Sequence, residues 1–225
     1  MISKEQIDKF VKHCKNKLTL TEDILGYPNS AVLCALDAIF SLTAHYSSVV
    51  NVVTRYCQLL KKHVKKTELS NVNISVSEAI NFIEENDYDG DSLADELGNR
   101  CTCPGTPRLK ADCFISLLKV FKTNGVNTSD DLKAKIDVCS FEHACKKEKG
   151  VGDACYNYMG MLGGDRTRVK VDVHVTRFVE NFDPSINKEE DIIELFHKTS
   201  KRLGNITPRH LDHMVWCYQR NAKVK

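Results

Sequence analysis

The sequence predicts an all-α protein, and three features of the chain lead to that prediction. Apolar residues recur at helical spacing along most of the chain. Polar cap residues and glycine or proline stops separate these segments. Strand-like alternation of apolar and polar residues does not extend over any length. With 225 residues, of which 42% are hydrophobic, the chain is long enough to bury a core in one or two domains.

The first two predicted helices are set by apolar spacing and by the residues that precede them. Residues 4–17 place apolar side chains at helical intervals, and residues 18–29 contain a glycine and a proline that indicate a connector. Asn29 or Ser30 can cap the next helix, which runs to about Leu42. This second helix is apolar nearly all round, so we expect it to be central and buried.

The next part of the chain is predicted to hold two helices and a turn. Ser47 and Ser48 can begin a helix over residues 49–62, and a shorter helix is predicted over residues 75–85. Residues 87–91, DYDGD, look at first like a calcium-binding loop. Their glycine is in the fourth position rather than the sixth, so we interpret them as a solvated turn.

Charge is unevenly distributed along the chain. Residues 67–99 carry nine acidic side chains and no Lys or Arg, and because the net charge of the whole chain is +2, the remaining residues sum to +11. Such polarisation fits a protein that binds DNA on one side. The alternative is that the acidic segment is simply a solvated lobe.

Residues 99–108 are predicted to be a loop. Cys101 and Cys103 lack the two-residue spacing of a zinc knuckle, and no second Cys or His pair is placed to complete a site, so we expect no zinc. A strong helix is predicted over residues 109–124, and Ser129 is predicted to cap the helix that follows.

A glycine hairpin is predicted between two short helices. Ser140 is expected to cap the first helix, residues 141–147, and the second covers residues 153–162. Between them lies Gly150-Val151-Gly152, whose glycines allow a tight reversal and a close approach of the backbone to another group. The free N–H groups at the start of the second helix are suited to binding a phosphate group.

Three more helices are predicted after the hairpin. Asp172 precedes a helix over residues 173–181, and a proline then interrupts the chain. Asn187 is predicted to cap a helix that runs to Leu203. Thr207-Pro208 is predicted to start the last helix.

The order of helix, glycine hairpin, helix and aspartate resembles that of the helix-hairpin-helix DNA glycosylase superfamily, the endonuclease III-like proteins. Residues 148–152, EKGVG, correspond to the family's Leu-Pro-Gly-Val-Gly hairpin. Residues 171–174, VDVH, correspond to its Val-Asp-Thr-His segment, which places Asp172 on the catalytic aspartate. Residues 40–45, FSLTAH, and residues 109–111, LKA, match two further family segments.

The resemblance implies a two-lobed helix-hairpin-helix DNA glycosylase fold. Residues 30–165 would form a six-helix lobe with the hairpin near 141–162, and residues 1–29 plus 166–225 would form a second helical lobe that carries the aspartate. Double-stranded DNA is the implied partner of a protein that we expect to be a monomer. The implied DNA-binding residues are those of the hairpin, namely Lys149, Gly150, Val151, Gly152 and Asp153.

Asp172 is the main catalytic candidate. The resemblance implies that its carboxylate activates water or stabilises the oxocarbenium ion that develops as an extruded base departs. The other interpretation is that Asp172 is the N-cap of the helix that follows it, a role worth about 1 kcal/mol. The two roles are compatible, because a capping carboxylate is held rigidly by the N–H groups that it accepts.

Ala154 departs from the family pattern. Bifunctional relatives hold a lysine at this position, which forms a Schiff base with the sugar, and alanine offers no amine. The resemblance therefore implies a monofunctional glycosylase in which water is the nucleophile. Two alternatives stay open, a catalytically inactive DNA-binding or scaffold protein of the same fold and an abasic-site lyase that uses a displaced lysine.

Thr43, His45 and Tyr46 are candidates for the base pocket. Thr43 falls where relatives carry a glutamine near the gap left by the extruded base, and it is too short to fill that gap in the same way. The aromatic faces of His45 and Tyr46 can stack on a flipped base. The alternative is that both side chains pack on the neighbouring helix.

We expect neither an iron–sulfur cluster nor a catalytic metal. A cluster needs four closely spaced cysteines, and Cys217 is the only cysteine after Asp172. The family does suggest a monovalent cation bound by backbone carbonyls of the hairpin.

The chain contains no run of about 18 apolar residues, so we expect a soluble intracellular protein with no membrane partner, cytoplasmic or in the nucleoid or nucleus. We expect its ten cysteines to be reduced thiols.

Overall fold

The computed structural model describes residues 2–24, 26–62, 64–204 and 206–222. The all-α prediction is confirmed, because these residues form helices and no β-strand, with one isolated bridge between Thr102 and Leu109. None of the helices in the described ranges is long and apolar enough to cross a membrane.

The described residues form twelve α-helices and one 3-10 helix, which follow one another along the chain. They are α1 (Lys4–Lys17), α2 (Ala31–Phe40), α3 (Tyr46–Leu59), the 3-10 helix (Lys66–Asn71), α4 (Val76–Glu85), α5 (Gly90–Glu96), α6 (Lys110–Thr123), α7 (Ser129–Lys135), α8 (Cys139–Lys146), α9 (Asp153–Leu162), α10 (Val173–Glu180), α11 (Glu189–Arg202) and α12 (Pro208–Ala222). The chain divides into two compact units, Leu25–Gly164 and Met1–Ile24 with Asp165–Lys225. The sequence prediction places the corresponding boundaries at residues 30 and 165.

The larger unit, Leu25–Gly164, is organised around α2. Ser30 caps this helix by accepting the N–H of Leu33 at 3.3 Å, and every residue of the helix is buried. At the other end, the buried Lys110 donates from Nζ to the carbonyls of Phe40 (3.1 Å) and Leu42 (2.5 Å). The ammonium thus satisfies carbonyls that have no partner within the helix. α2 packs against α3, α6 and α9, so these helices enclose it.

The smaller unit joins the first helix of the chain to the last three. α1 packs against α11, and α12 packs against both α10 and α11. The ring centroid of Phe10 lies 5.9 Å from that of Phe178, 5.0 Å from Phe182 and 6.0 Å from Phe196. Because Phe10 is fully buried in this aromatic cluster, burial of its side chain ties the N-terminal helix to the C-terminal part of the chain.

The 3-10 helix Lys66–Asn71 was not predicted, α8 begins two residues before its predicted start, and two further helices, α3 and α5, differ from the sequence prediction. α3 begins at Tyr46 rather than at 49, because the carbonyl of His45 already accepts the N–H of Ser48 at 2.9 Å. The prediction of a solvated turn over residues 87–91 is wrong for its second half. Asp89 and Ser92 form a reciprocal capping box, with N–H to side-chain distances of 2.8 and 2.9 Å, and this box starts α5.

Three predicted caps are also wrong. Thr128, not Ser129, caps α7, because the hydroxyl of Ser129 donates instead to the carbonyl of Pro28 at 2.5 Å. Ser140 lies inside α8, and Asn187 lies outside α11. Neither helix has a side-chain cap, and their hydrogen bonding starts from the backbone carbonyls of Val138 and Lys188.

Candidate functional site

The predicted hairpin connects α8 and α9 in the larger unit. The last turn of α8 is closed by the N–H of Lys147, which donates to the carbonyl of His143 at 3.1 Å. A further bond from Val151 N–H to the Glu148 carbonyl, at 2.9 Å, closes the reversal. The side chain of Val151 is only 4% exposed and belongs to the core of this unit. Val151 therefore anchors the turn, while Lys149, Gly152 and Asp153 are exposed.

The two hairpin glycines differ in what the fold requires of them. Gly150 has a φ of +111°, and a Cβ added there would lie 2.5 Å from Sγ of Cys103. Gly152 has a φ of −97° and a ψ of −174°, a backbone conformation that any residue adopts. A Cβ at Gly152 would meet no heavy atom within 4 Å among the described residues. Contacts within the protein thus explain why residue 150 is glycine. At position 152 the described structure has room for a larger side chain.

The N-terminus of α9 has no side-chain cap. Gly152 is its N-cap residue, and its carbonyl accepts the N–H of Tyr156 at 2.9 Å. The carboxylate of Asp153 in the first turn forms an ion pair with Lys146, whose Nζ also donates to Glu142 at 2.5 Å. The negative charge of Asp153 is therefore offset locally, beside backbone N–H groups that no cap side chain accepts.

The guanidinium group of Arg108 forms hydrogen bonds with two residues of the hairpin. Arg108, just before α6, donates to Oε2 of Glu148 at 2.9 Å and to the carbonyl of Lys149 at 3.2 Å. The same side chain pairs with Asp112 at 2.5 Å. Lys149 itself is exposed, with its backbone held in place by Arg108. The arrangement presents a lysine and a helix start to solvent on a rigid turn.

Asp172, in the smaller unit, is the N-cap of α10. Its Oδ1 accepts the N–H groups of His174 at 2.8 Å and Val175 at 3.2 Å. Its Oδ2 lies 4.0 Å from Nζ of Lys170, and the side chain of Asp172 is 23% exposed. The capping role predicted from the sequence is thus present in the structure, and the second carboxylate oxygen is left beside an ammonium group.

Asp212, on α12, is a buried carboxyl group that sequence reasoning missed. Its Oδ2 accepts the N–H of Lys170 at 2.6 Å, and the carbonyl of Lys170 in turn accepts the N–H of Asp172 at 2.7 Å. Burial raises the pKa of Asp212 to about 8, and the nearby charge of Asp172 acts in the same direction. Asp212 therefore fixes the backbone that leads into Asp172. A polar residue on the apolar side of the last helix, next to the buried Leu211, is the sequence signal that could have revealed it.

Of the candidate pocket residues, Thr43 and His45 lie between α2 and α3, and Tyr46 is the first residue of α3. All three are exposed, and Tyr46 is exposed by 38%. Thr43 has a φ of +50°, and its hydroxyl donates to the carbonyl of Leu42 at 2.8 Å. His45 and Tyr46 thus follow one another at the start of α3, in the larger unit.

No group of three or more His, Cys, Asp or Glu side chains in the described ranges is placed to hold a metal ion.

Comparison with the curated proteins and with the solved structures gives no match. One family model, described as a domain of unknown function (DUF8548), matches residues 7–220. Because that match covers nearly the whole chain, the protein belongs to this family.

Proposed function

We propose that this protein is a DNA base-excision glycosylase that hydrolyses the N-glycosidic bond of an extruded base and leaves the DNA strand intact. The observation that carries the proposal is the geometry of the segment that resembles the family. Its residues form helix, tight glycine turn and helix in the larger unit, followed by an aspartate that caps the next helix. The type of reaction is inferred from the family resemblance. The local structures of the hairpin and of the Asp172 segment support the inference.

DNA is held through the hairpin. The uncapped N–H groups of α9 and the exposed Lys149 suit a phosphate, and both lie on a turn that Arg108 and Val151 keep rigid. Gly152 supports this role, because no contact within the described protein demands glycine there. A phosphate backbone that approaches this turn closely would require a residue without a Cβ.

Asp172 carries the chemistry. Two backbone N–H groups fix its Oδ1, so Oδ2 has a defined position for orienting water or for stabilising positive charge on the sugar. Asp212 holds the preceding backbone through the N–H of Lys170. Thr43, His45 and Tyr46 are the residues that we propose for contact with the extruded base, by stacking on the two rings.

A lyase activity is the second candidate, and one observation favours it. Nζ of Lys170 lies 4.0 Å from Oδ2 of Asp172. An amine beside the catalytic carboxylate has the elements of a Schiff-base nucleophile and its base, although Ala154 stands at the position where relatives carry the lysine. If this candidate holds, strand cleavage accompanies base removal and disappears in Lys170→Gln.

The test is incubation with a panel of duplexes that carry damaged or mismatched bases, with and without alkali. Alkali cleaves at abasic sites, so bands that appear only after alkali indicate a monofunctional glycosylase. Asp172→Asn keeps a good N-cap and should excise roughly 10²–10⁴ times more slowly than the parent. Asp183→Asn is the matched control, because Asp183 also accepts a backbone N–H (from Ser185, at 3.0 Å) in the same unit. Equal excision by Asp172→Asn and the parent would remove Asp172 from the mechanism, and no excision by either on the whole panel would leave a DNA-binding scaffold as the better interpretation.

A further inference from the structure

Two cysteine thiols lie directly beneath the hairpin turn. Cys103 is in the loop between α5 and α6, and Cys113 is in α6. A Cβ built on Gly150 would lie 2.5 Å from Sγ of Cys103 and 3.1 Å from Sγ of Cys113. Both sulfur atoms therefore lie against one point of the backbone and are neighbours of each other.

Backbone hydrogen bonds attach the two cysteines to adjacent residues just before α6. The N–H of Cys103 donates to the carbonyl of Arg108 at 2.8 Å, and the N–H of Cys113 donates to the carbonyl of Leu109 at 3.0 Å. Thr102 and Leu109 also form the isolated bridge. Both thiols are thus attached to the same short segment, and closing a bond between them does not require a distant element to move.

The two thiols differ in acidity. The hydrogen bond from Cys113 lowers the pKa of Cys103 to about 7, although burial opposes the shift, and the cationic side chains of Lys110 and Arg108 act with the hydrogen bond. The pKa of Cys113 is raised, by the same hydrogen bond and by burial. The neighbouring cations of Lys110 and Arg108 favour Cys103 as the thiolate that reacts first, and Cys113 is the neighbouring thiol that can then attack the oxidised sulfur. By contrast, burial raises the pKa of Cys145, in the same unit, to about 12.

Cys103 is buried in a loop whose neighbouring residues are exposed. The Cys103 residue is only 1% exposed, but Thr102 and Pro104 on either side of it are exposed. The cysteine therefore lies one residue below the surface of a loop, and a peroxide is close to water in size.

We propose that Cys103 and Cys113 are a redox modification site, oxidised by hydrogen peroxide to a disulfide beneath the hairpin. The Cys103 thiolate attacks one peroxide oxygen, the O–O bond breaks, and the hydroxide that leaves takes up a proton to form water. Sγ of Cys113 then attacks the sulfenic sulfur of Cys103, the S–O bond breaks, and hydroxide leaves with the Cys113 proton as a second water. The two thiols lose two electrons in total, and one peroxide is reduced to two waters. This proposal is independent of the proposed reaction on DNA.

The test uses the full chain, reduced, treated with stoichiometric hydrogen peroxide, blocked with iodoacetamide and digested with trypsin. Cleavage after Arg100, Arg108 and Lys110 places the two cysteines in separate peptides, 101–108 and 111–119. We expect mass spectrometry to find these peptides joined, and dithiothreitol to separate them. In Cys113→Ser the cross-link should be lost, and Cys103 should instead be labelled by dimedone as a sulfenic acid.

Two controls make the result specific. Cys101→Ser should retain the cross-link, which shows that the 101–108 peptide is joined through Cys103 rather than through its exposed neighbour. Cys145→Ser should also retain it. Oxidation confined to the exposed Cys101 and Cys139, or loss of the cross-link in Cys101→Ser, would overturn the proposal.

Discussion

Alanine substitution of the two hairpin glycines separates a requirement of the fold from a requirement of binding. Gly150→Ala places a Cβ on a backbone with a φ of +111°, 2.5 Å from Sγ of Cys103 and 2.9 Å from its Cβ. Gly152→Ala places a Cβ on an extended backbone with no atom of the described chain within 4 Å. The substitutions are chemically identical and two residues apart, so their difference reports the local environment alone.

The expected magnitudes follow from these contacts. A residue other than glycine in a sparsely populated backbone region costs about 1–3 kcal/mol. Forcing a methyl group into a packed site costs about 1–3 kcal/mol more. We therefore expect Gly150→Ala to lower the free energy of unfolding by about 2–6 kcal/mol, against typical totals of about 5–15 kcal/mol. Gly152→Ala should lower the free energy of unfolding by about 1 kcal/mol or less, because its only expected effect is that alanine is a poorer N-cap than glycine.

The assay is equilibrium unfolding in urea followed by circular dichroism, with the two variants and the parent compared at one temperature. Adding Cys103→Ala to Gly150→Ala removes the sulfur atom at 2.5 Å, so the double variant should be more stable than the sum of the single effects by at least about 0.5 kcal/mol. Equal stabilities of Gly150→Ala and Gly152→Ala would refute the argument, and so would strict additivity with Cys103→Ala.

Three further predictions concern DNA binding, pH and helix capping. Gly152→Val should weaken binding to all duplexes alike in a fluorescence anisotropy titration while the protein stays helical, and unchanged affinity would exclude the hairpin as the DNA contact. The pKa of Asp212 is raised to about 8 in the folded protein, against about 4 in the unfolded chain, so the folded state binds more protons between these values. As pH rises from 4 to 8, the free energy of unfolding of the parent should fall relative to that of Asp212→Asn, by up to about 1.4 kcal/mol per pH unit, and parallel stability curves would contradict this. Asp89→Ala should lower the free energy of unfolding by about 1 kcal/mol through loss of the capping box, with Glu96→Ala, an exposed residue of α5 outside that box, as the control that should change it little.

Local chemistry explains which helices the sequence could predict. Apolar spacing and a serine cap define α1, α2 and α4, and these helices begin at the predicted residues or within one residue of them. α5 was missed because its start, Asp89-Gly90, has the composition of a turn, and Gly90 weakens helix propensity. The capping box and the burial of Leu93 and Ala94 decide in favour of helix, and burial is a tertiary property that a seven-residue window does not contain.

The partners of buried polar residues could not be predicted from the sequence. Asp37 lies in the apolar helix α2 and is fully buried, where it accepts the hydroxyls of Tyr27 and Ser41, each at 2.8 Å. Lys110 and Asp212 likewise bond to segments remote from them in the chain. Each partner is brought close by packing rather than by spacing, so no pattern of neighbours in the sequence could identify it. The same holds for the thiol pair beneath the hairpin, whose members are separated by a loop and a helix start.

The hairpin glycines show how one sequence motif can combine two constraints. From the sequence, both glycines have the same explanation, namely a tight reversal with close approach of the backbone to another group. In the structure, the close neighbours of Gly150 are Cys103 and Cys113 of the protein itself, and its positive φ closes the turn. Gly152 has neither a positive φ nor a close neighbour in the described chain, and it is exposed at the start of α9. Beyond the modest preference for glycine over alanine at an N-cap, no contact in the described chain requires glycine at 152, so we expect any stricter requirement to come from bound DNA. Glycine at 150 would be required even if the protein bound nothing. Loss of DNA affinity without loss of stability at 152, together with loss of stability at 150, is the pattern that this division predicts.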